Sequence, residues 1–119
     1  MLFKVTDHEM KTYRRGQVHQ WELGRWYEID IDKRGGRLYS ASWYHCYTDP
    51  ALALLLDPLC GEQNTRLFSC WSKGDGITET GYVIGFQTMK LIEEFPTPQL
   101  SPDQITALTI LIALDTVDD

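Results

Sequence analysis

Trp26-Tyr27-Glu28-Ile29-Asp30-Ile31, followed at once by Asp32-Lys33-Arg34-Gly35-Gly36, is the stretch on which the fold class turns. Tyr27, Ile29 and Ile31 alternate with Trp26, Glu28 and Asp30, which is the period of a half-buried strand with its apolar set pointing inward. Paired glycines supply the positive φ of a tight turn, so residues 32–36 are expected to return the chain into a second strand, from Arg37 to about Tyr47.

On the N-terminal side, Leu2–Thr6 alternates as a strand. Gln17–Trp21 does so too, with Val18 and Gln20 facing one way and Gln17, His19 and Trp21 the other. Residues 7–16 have no clean period and read as a loop with room for one helical turn. On the C-terminal side, Thr48-Asp49-Pro50 precedes Ala51-Leu52-Ala53-Leu54-Leu55-Leu56. A capping side chain followed by proline in the first turn predicts a short, largely buried helix ending before Pro58. Arg66–Ser72, Thr80–Phe86 and Met89–Phe95 read as further strands, with a glycine turn at 73–76 and Gly85 as a bulge between the last two.

Ser101-Pro102-Asp103-Gln104 has the capping-box pattern of a helix start. The apolar set Ile105, Leu108, Ile110, Leu111, Ile112, Leu114 and Val117 predicts a helix packed on the sheet or on a second subunit, which makes a homodimer compatible with the sequence. Six or so strands, mostly antiparallel, with a short central helix and a C-terminal helix, give an α+β expectation. The 119 residues are enough for a core without a disulfide or metal, and they predict a single domain over 1–119.

Charge divides unevenly. Residues 1–45 hold 8 basic and 6 acidic residues, whereas residues 46–119 hold 3 and 11, for a total of −6. An acidic chain lacks the basic footprint that phosphate neutralisation requires, so nucleic acid is disfavoured as a partner. The longest apolar run, residues 51–56, falls far short of the ~20 residues of a spanning helix, and the N-terminus has no signal-peptide pattern. A cytoplasmic protein without a membrane segment is expected. Cys46, Cys60 and Cys70 are odd in number and spaced by 14 and 10, which matches neither a disulfide framework nor a zinc ribbon. Reduced, buried thiols and no metal are expected.

Two family resemblances add to this reading. Gly24-x-Trp26-Tyr27-Glu28 and His45-Cys46-x-x-x-Pro50 with the helix behind it resemble a small domain family of unknown function from bacteria and phages. Its members carry a Gly-Phe-His-x-Cys-x-x-Pro-like block, where this chain has Trp43-Tyr44 before His45 and a proline one position later. The resemblance implies a prokaryotic or phage origin and a shared shape. The order of an early arginine, Ser40-x-Ser42 and Glu93-Glu94 is similar to that of ADP-ribosyltransferases. That resemblance implies an NAD site in which Arg14 or Arg15 meets the pyrophosphate, Ser40 and Ser42 brace it, and Glu93 or Glu94 is the catalytic carboxylate. Ala41 replaces the middle threonine of that family's pattern, and adjacent glutamates on a strand point to opposite faces.

Aromatic residues make up 12% of the chain, and alternation cannot bury both members of Trp26-Tyr27 or of Trp43-Tyr44. Outward-facing aromatics near arginines have the composition of a protein-binding hot spot. The residues expected to form it are Arg14, Arg15, His19, Trp21, Arg25, Trp26, Arg37, Trp43, Tyr44 and His45. The favoured expectation is a non-catalytic accessory or inhibitor protein of prokaryotic or phage type. It would bind a protein partner through this patch and its acidic surface, without a cofactor. The alternative is an enzyme that takes NAD.

Overall fold

The N-terminal strand β1 (Leu2–Thr6) runs through the middle of the sheet, and the rest of the chain is laid down on either side of it. The computed structural model describes residues 1–14, 17–56, 64–97, 101–104, 106–107 and 110. After β1 come β2 (Lys11–Arg14), β3 (Gln17–Gln20), β4 (Trp26–Glu28), β5 (Tyr44–Tyr47), helix α1 (Pro50–Leu56), β6 (Arg66–Lys73), β7 (Ile77–Thr78), β8 (Val83–Phe86) and β9 (Thr88–Phe95). Seven strands form one antiparallel sheet in the order β4-β9-β6-β1-β5-β8-β7, and β2 and β3 form a separate hairpin.

Only Gln87 separates β8 from β9, so residues 83–95 act as one bent strand. Its first half pairs with β5, Tyr47 opposite Val83 through Tyr44 opposite Phe86. Its second half pairs with β6, Lys73 opposite Thr88 through Leu67 opposite Phe95. Because β1 lies between β5 and β6, the pairings return on themselves and curl the sheet in the manner of a small barrel. The bend is held from both sides: Ile29 N donates to Gln87 O at 2.8 Å, and Gln87 Nε2 reaches Ser42 O at 3.4 Å.

The α+β expectation is corrected by this architecture. Among the described residues nine strands stand against one seven-residue helix, a single 3-10 turn at Ile31–Lys33 and helical residues at 102–104, 106–107 and 110, so the chain is sheet-dominated. One reason is that residues 7–16, expected to be a loop, supply β2. Asp7 organises its start, with Oδ1 accepting from the amides of Glu9 and Lys11 at 2.9 Å each and Oδ2 accepting from the Tyr13 hydroxyl at 2.6 Å.

The strand expected over 37–47 is also corrected, since only Tyr44–Tyr47 is extended. Ser42 Oγ donates to Lys33 O at 2.6 Å and accepts from Gly36 N at 2.9 Å, while Ser40 Oγ donates to Arg37 O at 2.6 Å. These local bonds compete with a ladder and fold residues 29–43 into a loop. As a result β4 and β5 are not hairpin neighbours, because β9, β6 and β1 lie between them. Ile31, expected to point inward, is 84% exposed.

Helix α1 forms where it is expected: Asp49 Oδ1 accepts from Ala51 N at 2.8 Å and Leu52 N at 3.2 Å, and Pro50 opens the first turn. At Ser101 the capping box is present, with Ser101 N donating to Gln104 Oε1 at 2.8 Å and Gln104 N donating to Ser101 Oγ at 3.1 Å. Most of the apolar set expected behind it lies outside the described residues, and Ile110, the member inside them, is exposed.

Alternation sends the sheet's side chains to two apolar clusters. Trp21, Ile29, Tyr44, Cys46, Phe68, Cys70, Met89 and Leu91 fill the inner face, where each fully buried Phe, Met or Leu contributes about 1.5–3 kcal/mol. Val5, Tyr47, Leu67 and Val83 on the outer face lie with Ala53 of α1. The bulge falls at Ile92, because Ser69 opposes Glu93 while Cys70 opposes Leu91. Gly85, expected to be the bulge, has another reason to lack a side chain: a Cβ there would stand 2.7 Å from Leu38 Cδ1 and 3.0 Å from Trp43 Cβ.

Candidate functional site

Several residues expected on a binding surface lie in the interior. Trp21 is 1% exposed and His45 3%, and Tyr44 is buried with them. The shared face of His19 and Trp21 points at the sheet, because the β2–β3 hairpin closes over its inner side. Trp21 Nε1 donates to Thr12 Oγ1 at 2.9 Å, which ties the indole to that hairpin. His19 sits edge-on among Trp21, Tyr27 and Tyr44, with ring centroids 4.3, 4.5 and 5.2 Å away. Its Nε2 is buried without a hydrogen-bond partner. Burial, with the Lys4 ammonium adding to it, lowers the imidazole pKa to about 4, so the ring is neutral. Burial likewise pushes the Tyr44 hydroxyl up to about 12, helped by the charges of Asp30, Tyr27 and Glu28.

His45 lies on the outer face under the 29–43 loop. Its Nε2 donates to Leu38 O, and Tyr39 stacks on its ring at 5.8 Å. Trp43 is half-buried in the same loop and donates from Nε1 to Gly36 O at 2.9 Å. Arg25 pairs with Glu22 at 3.2 Å and lies 5.2 Å over the Tyr27 ring. Arg37 is exposed in the loop. Arg14 belongs to β2, and Arg15 lies outside the described residues. The expected patch is thus divided among the core, the loop and the hairpin.

Three residues of the NAD resemblance, Ser40, Ser42 and Glu94, have other bonding partners. Ser40 and Ser42 hold the 29–43 loop, as described above. Glu94 accepts from Arg66 Nε at 2.9 Å and from Nη2 at 2.7 Å, which holds its carboxyl below the usual range. Glu93 is exposed opposite Ser69. Among the described residues no hydrogen bond or ion pair joins either serine to either glutamate.

One expected residue, Trp26, does belong to an outward cluster, together with three that the sequence reading passed over. Trp26 on β4 pairs with Lys90 on β9, and Lys90 pairs with Trp71 on β6, so the three side chains form a row on the outer face. The Lys90 ammonium lies 4.8 Å from the Trp26 centroid and 4.9 Å from that of Trp71. Lys73, two residues beyond Trp71 and on the same side of the strand, places its ammonium 4.2 Å from Trp26. Trp71 remains 59% exposed. The available signal was the spacing Trp71-x-Lys73 beside inward-facing Phe68 and Cys70, together with Lys90 between inward-facing Met89 and Leu91.

This platform joins a broad apolar surface to two positive charges. Each ammonium–indole contact is worth about 0.5–1 kcal/mol at an exposed position. Among the described residues neither lysine forms an ion pair, whereas Lys11, Arg25, Lys33, Arg34 and Arg66 each have a carboxylate. No group of three His, Cys, Asp or Glu side chains among the described residues is placed to hold a metal ion. No helix among them is long and apolar enough to cross a membrane. Cys46 and Cys70 are free, buried thiols on the inner face, and hydrogen bonding to Cys46 together with burial pushes the Cys70 thiol up.

No family model, curated protein or solved structure matches this chain. The motifs behind the bacterial and phage resemblance have structural work here. His45 and Cys46 are buried in β5, and Pro50 opens α1.

Proposed function

We propose that this protein acts without catalysis, by binding another macromolecule through the outer platform of Trp26, Trp71, Lys73 and Lys90. The observation that carries this reading is the row Trp26–Lys90–Trp71, with Trp71 more than half exposed. Exposed Trp beside cations is the composition of interface hot spots. The resemblance to small bacterial and phage domains fits an accessory or inhibitor role, with occlusion of the partner's surface as the mechanism. The acidic remainder of the chain keeps polyanions away from the platform by long-range repulsion. The expected arginine-centred patch is replaced in this reading by a lysine-centred one.

The test is photo-cross-linking in an extract of the source organism, with benzoylphenylalanine at position 71 or at Val18, which is exposed on the hairpin. A distinct adduct at 71 that is missing at 18 supports the platform as the contact surface. The same adducts at both positions, or none at 71, sink it.

A further inference from the structure

We infer that the platform takes an acidic protein segment, one that presents a carboxylate next to a large apolar side chain. This rests on the binding reading above and names the chemistry of the partner. The acidic half of the chain has only three basic residues, Arg66, Lys73 and Lys90. Arg66 is taken by Glu94, and the other two stand on indole faces with no carboxylate partner among the described residues. In a chain with 17 acidic side chains, two ammonium groups that reach the same Trp26 ring and have no carboxylate partner among the described residues form a local charge vacancy for an anion.

The arrangement selects among anions. Trp26 is within cation–π range of both Lys73 and Lys90, so a base stacking there competes with two cations already drawn to the ring. A carboxylate meets the ammonium groups from solvent without disturbing them, while the exposed Trp71 ring offers an apolar wall beside them. Screening acts in the same direction. With a Debye length of about 8 Å, a short acidic segment feels mainly the two lysines. A long polyanion also spans the acidic surroundings, including the exposed Glu93 on β9 itself, and is repelled by them.

The experiment is affinity selection of short random peptides displayed on filamentous phage. The wild-type chain is the bait, with Lys73→Ala/Lys90→Ala and Lys73→Glu/Lys90→Glu as parallel baits and circular dichroism confirming that each is folded. Recovered peptides are remade synthetically beside their Asn/Gln counterparts, and a thymidine decanucleotide is the nucleic-acid arm. The expected result is enrichment of Asp or Glu beside Phe, Trp or Leu, with affinity falling by about tenfold or more in the amide peptides, the loss of one charge-assisted contact. The alanine bait should lose these peptides, and the glutamate bait should select Lys or Arg instead. Selected peptides without acidic residues, or retention by the alanine bait, overturn the inference. Tighter binding of the decanucleotide overturns it while leaving the platform as a binding surface, and recovery of nothing by any bait removes both readings.

Discussion

His19 packs its imidazole against the indole of Trp21 with ring centroids 4.3 Å apart, and its Nε2 has no hydrogen-bond partner in that enclosure. Burial and the Lys4 charge lower the folded-state pKa from 6.5 to about 4. Between those values the unfolded chain takes up a proton that folded His19 refuses, so the stability this ring contributes is full above pH 6.5 and is lost progressively as the pH falls toward about 4. Glu94 and Asp7, whose carboxyls are held below their ordinary values of 4.5 and 3.8, add their own losses from about those values downward, so Glu94 overlaps the acidic end of this window and Asp7 follows below it. Urea midpoints across this window are expected to fall with pH in the wild type and to flatten in His19→Phe, which fills the same aromatic enclosure. Parallel curves for the two proteins would show that His19 is not the titrating group.

Gly85 is one of the points where the sheet meets the 29–43 loop, lying against Leu38 and Trp43. Gly85→Ala would press a methyl group onto Leu38 Cδ1, 2.7 Å from the new Cβ, and onto Trp43. Overpacking of this kind costs about 1–3 kcal/mol. The chemical denaturation midpoint should drop accordingly, and the emission of Trp43 should shift as its Nε1 bond to Gly36 O is disturbed. An unchanged midpoint would mean that the loop yields freely.

Cys46 and Cys70 are at most 3% exposed. Ellman's reagent should leave both unmodified in the native protein and label both after denaturation, as peptide mass mapping can read. Rapid labelling of either thiol at neutral pH without denaturant would place it on a surface and contradict the inner-face packing.

Millimolar NAD is expected to leave the melting temperature unchanged in the wild type and in Glu93→Ala/Glu94→Ala alike, because Ser40 and Ser42 are consumed in the loop and Glu94 in its pair with Arg66. The double variant itself should be destabilised by about 0.5–1 kcal/mol, the upper range for a solvent-exposed pair, and less so in high salt. A ligand-dependent shift in the wild type that vanishes in the variant would restore the NAD reading.

Strand identity was most legible where one face is apolar. Leu2–Thr6 and the helix start at Asp49-Pro50 are read correctly because alternation and capping are local properties. The 37–47 segment misled because Ser40 and Ser42 bond to neighbouring backbone, a competition that periodicity does not register. β2 was missed for a related reason: its entry is organised by the Asp7 carboxylate and by Met10 at a φ of 60°, not by an apolar stripe. The platform was only partly legible, since Trp26, Lys90 and Trp71 become neighbours through pairing of β4, β9 and β6, which are distant in the chain. A list of exposed aromatics near arginines in sequence could not anticipate which strand would lie beside which. It also placed Trp21 and Tyr44 outside, although the hairpin seals that side.

The bent strand at 83–95 also sets the order in which a ribosome can deliver a finished sheet. β1 emerges first and becomes central, yet both of its partners come later in the chain, and the stretch that joins them is later still. Until Gln87 and the residues beyond it have left the exit tunnel, the nascent chain carries unpaired strand edges that invite association with neighbouring chains. Closure is then a single late event that secures both seams together, so translation pausing before residue 83 should leave this protein more dependent on chaperones than pausing after residue 95.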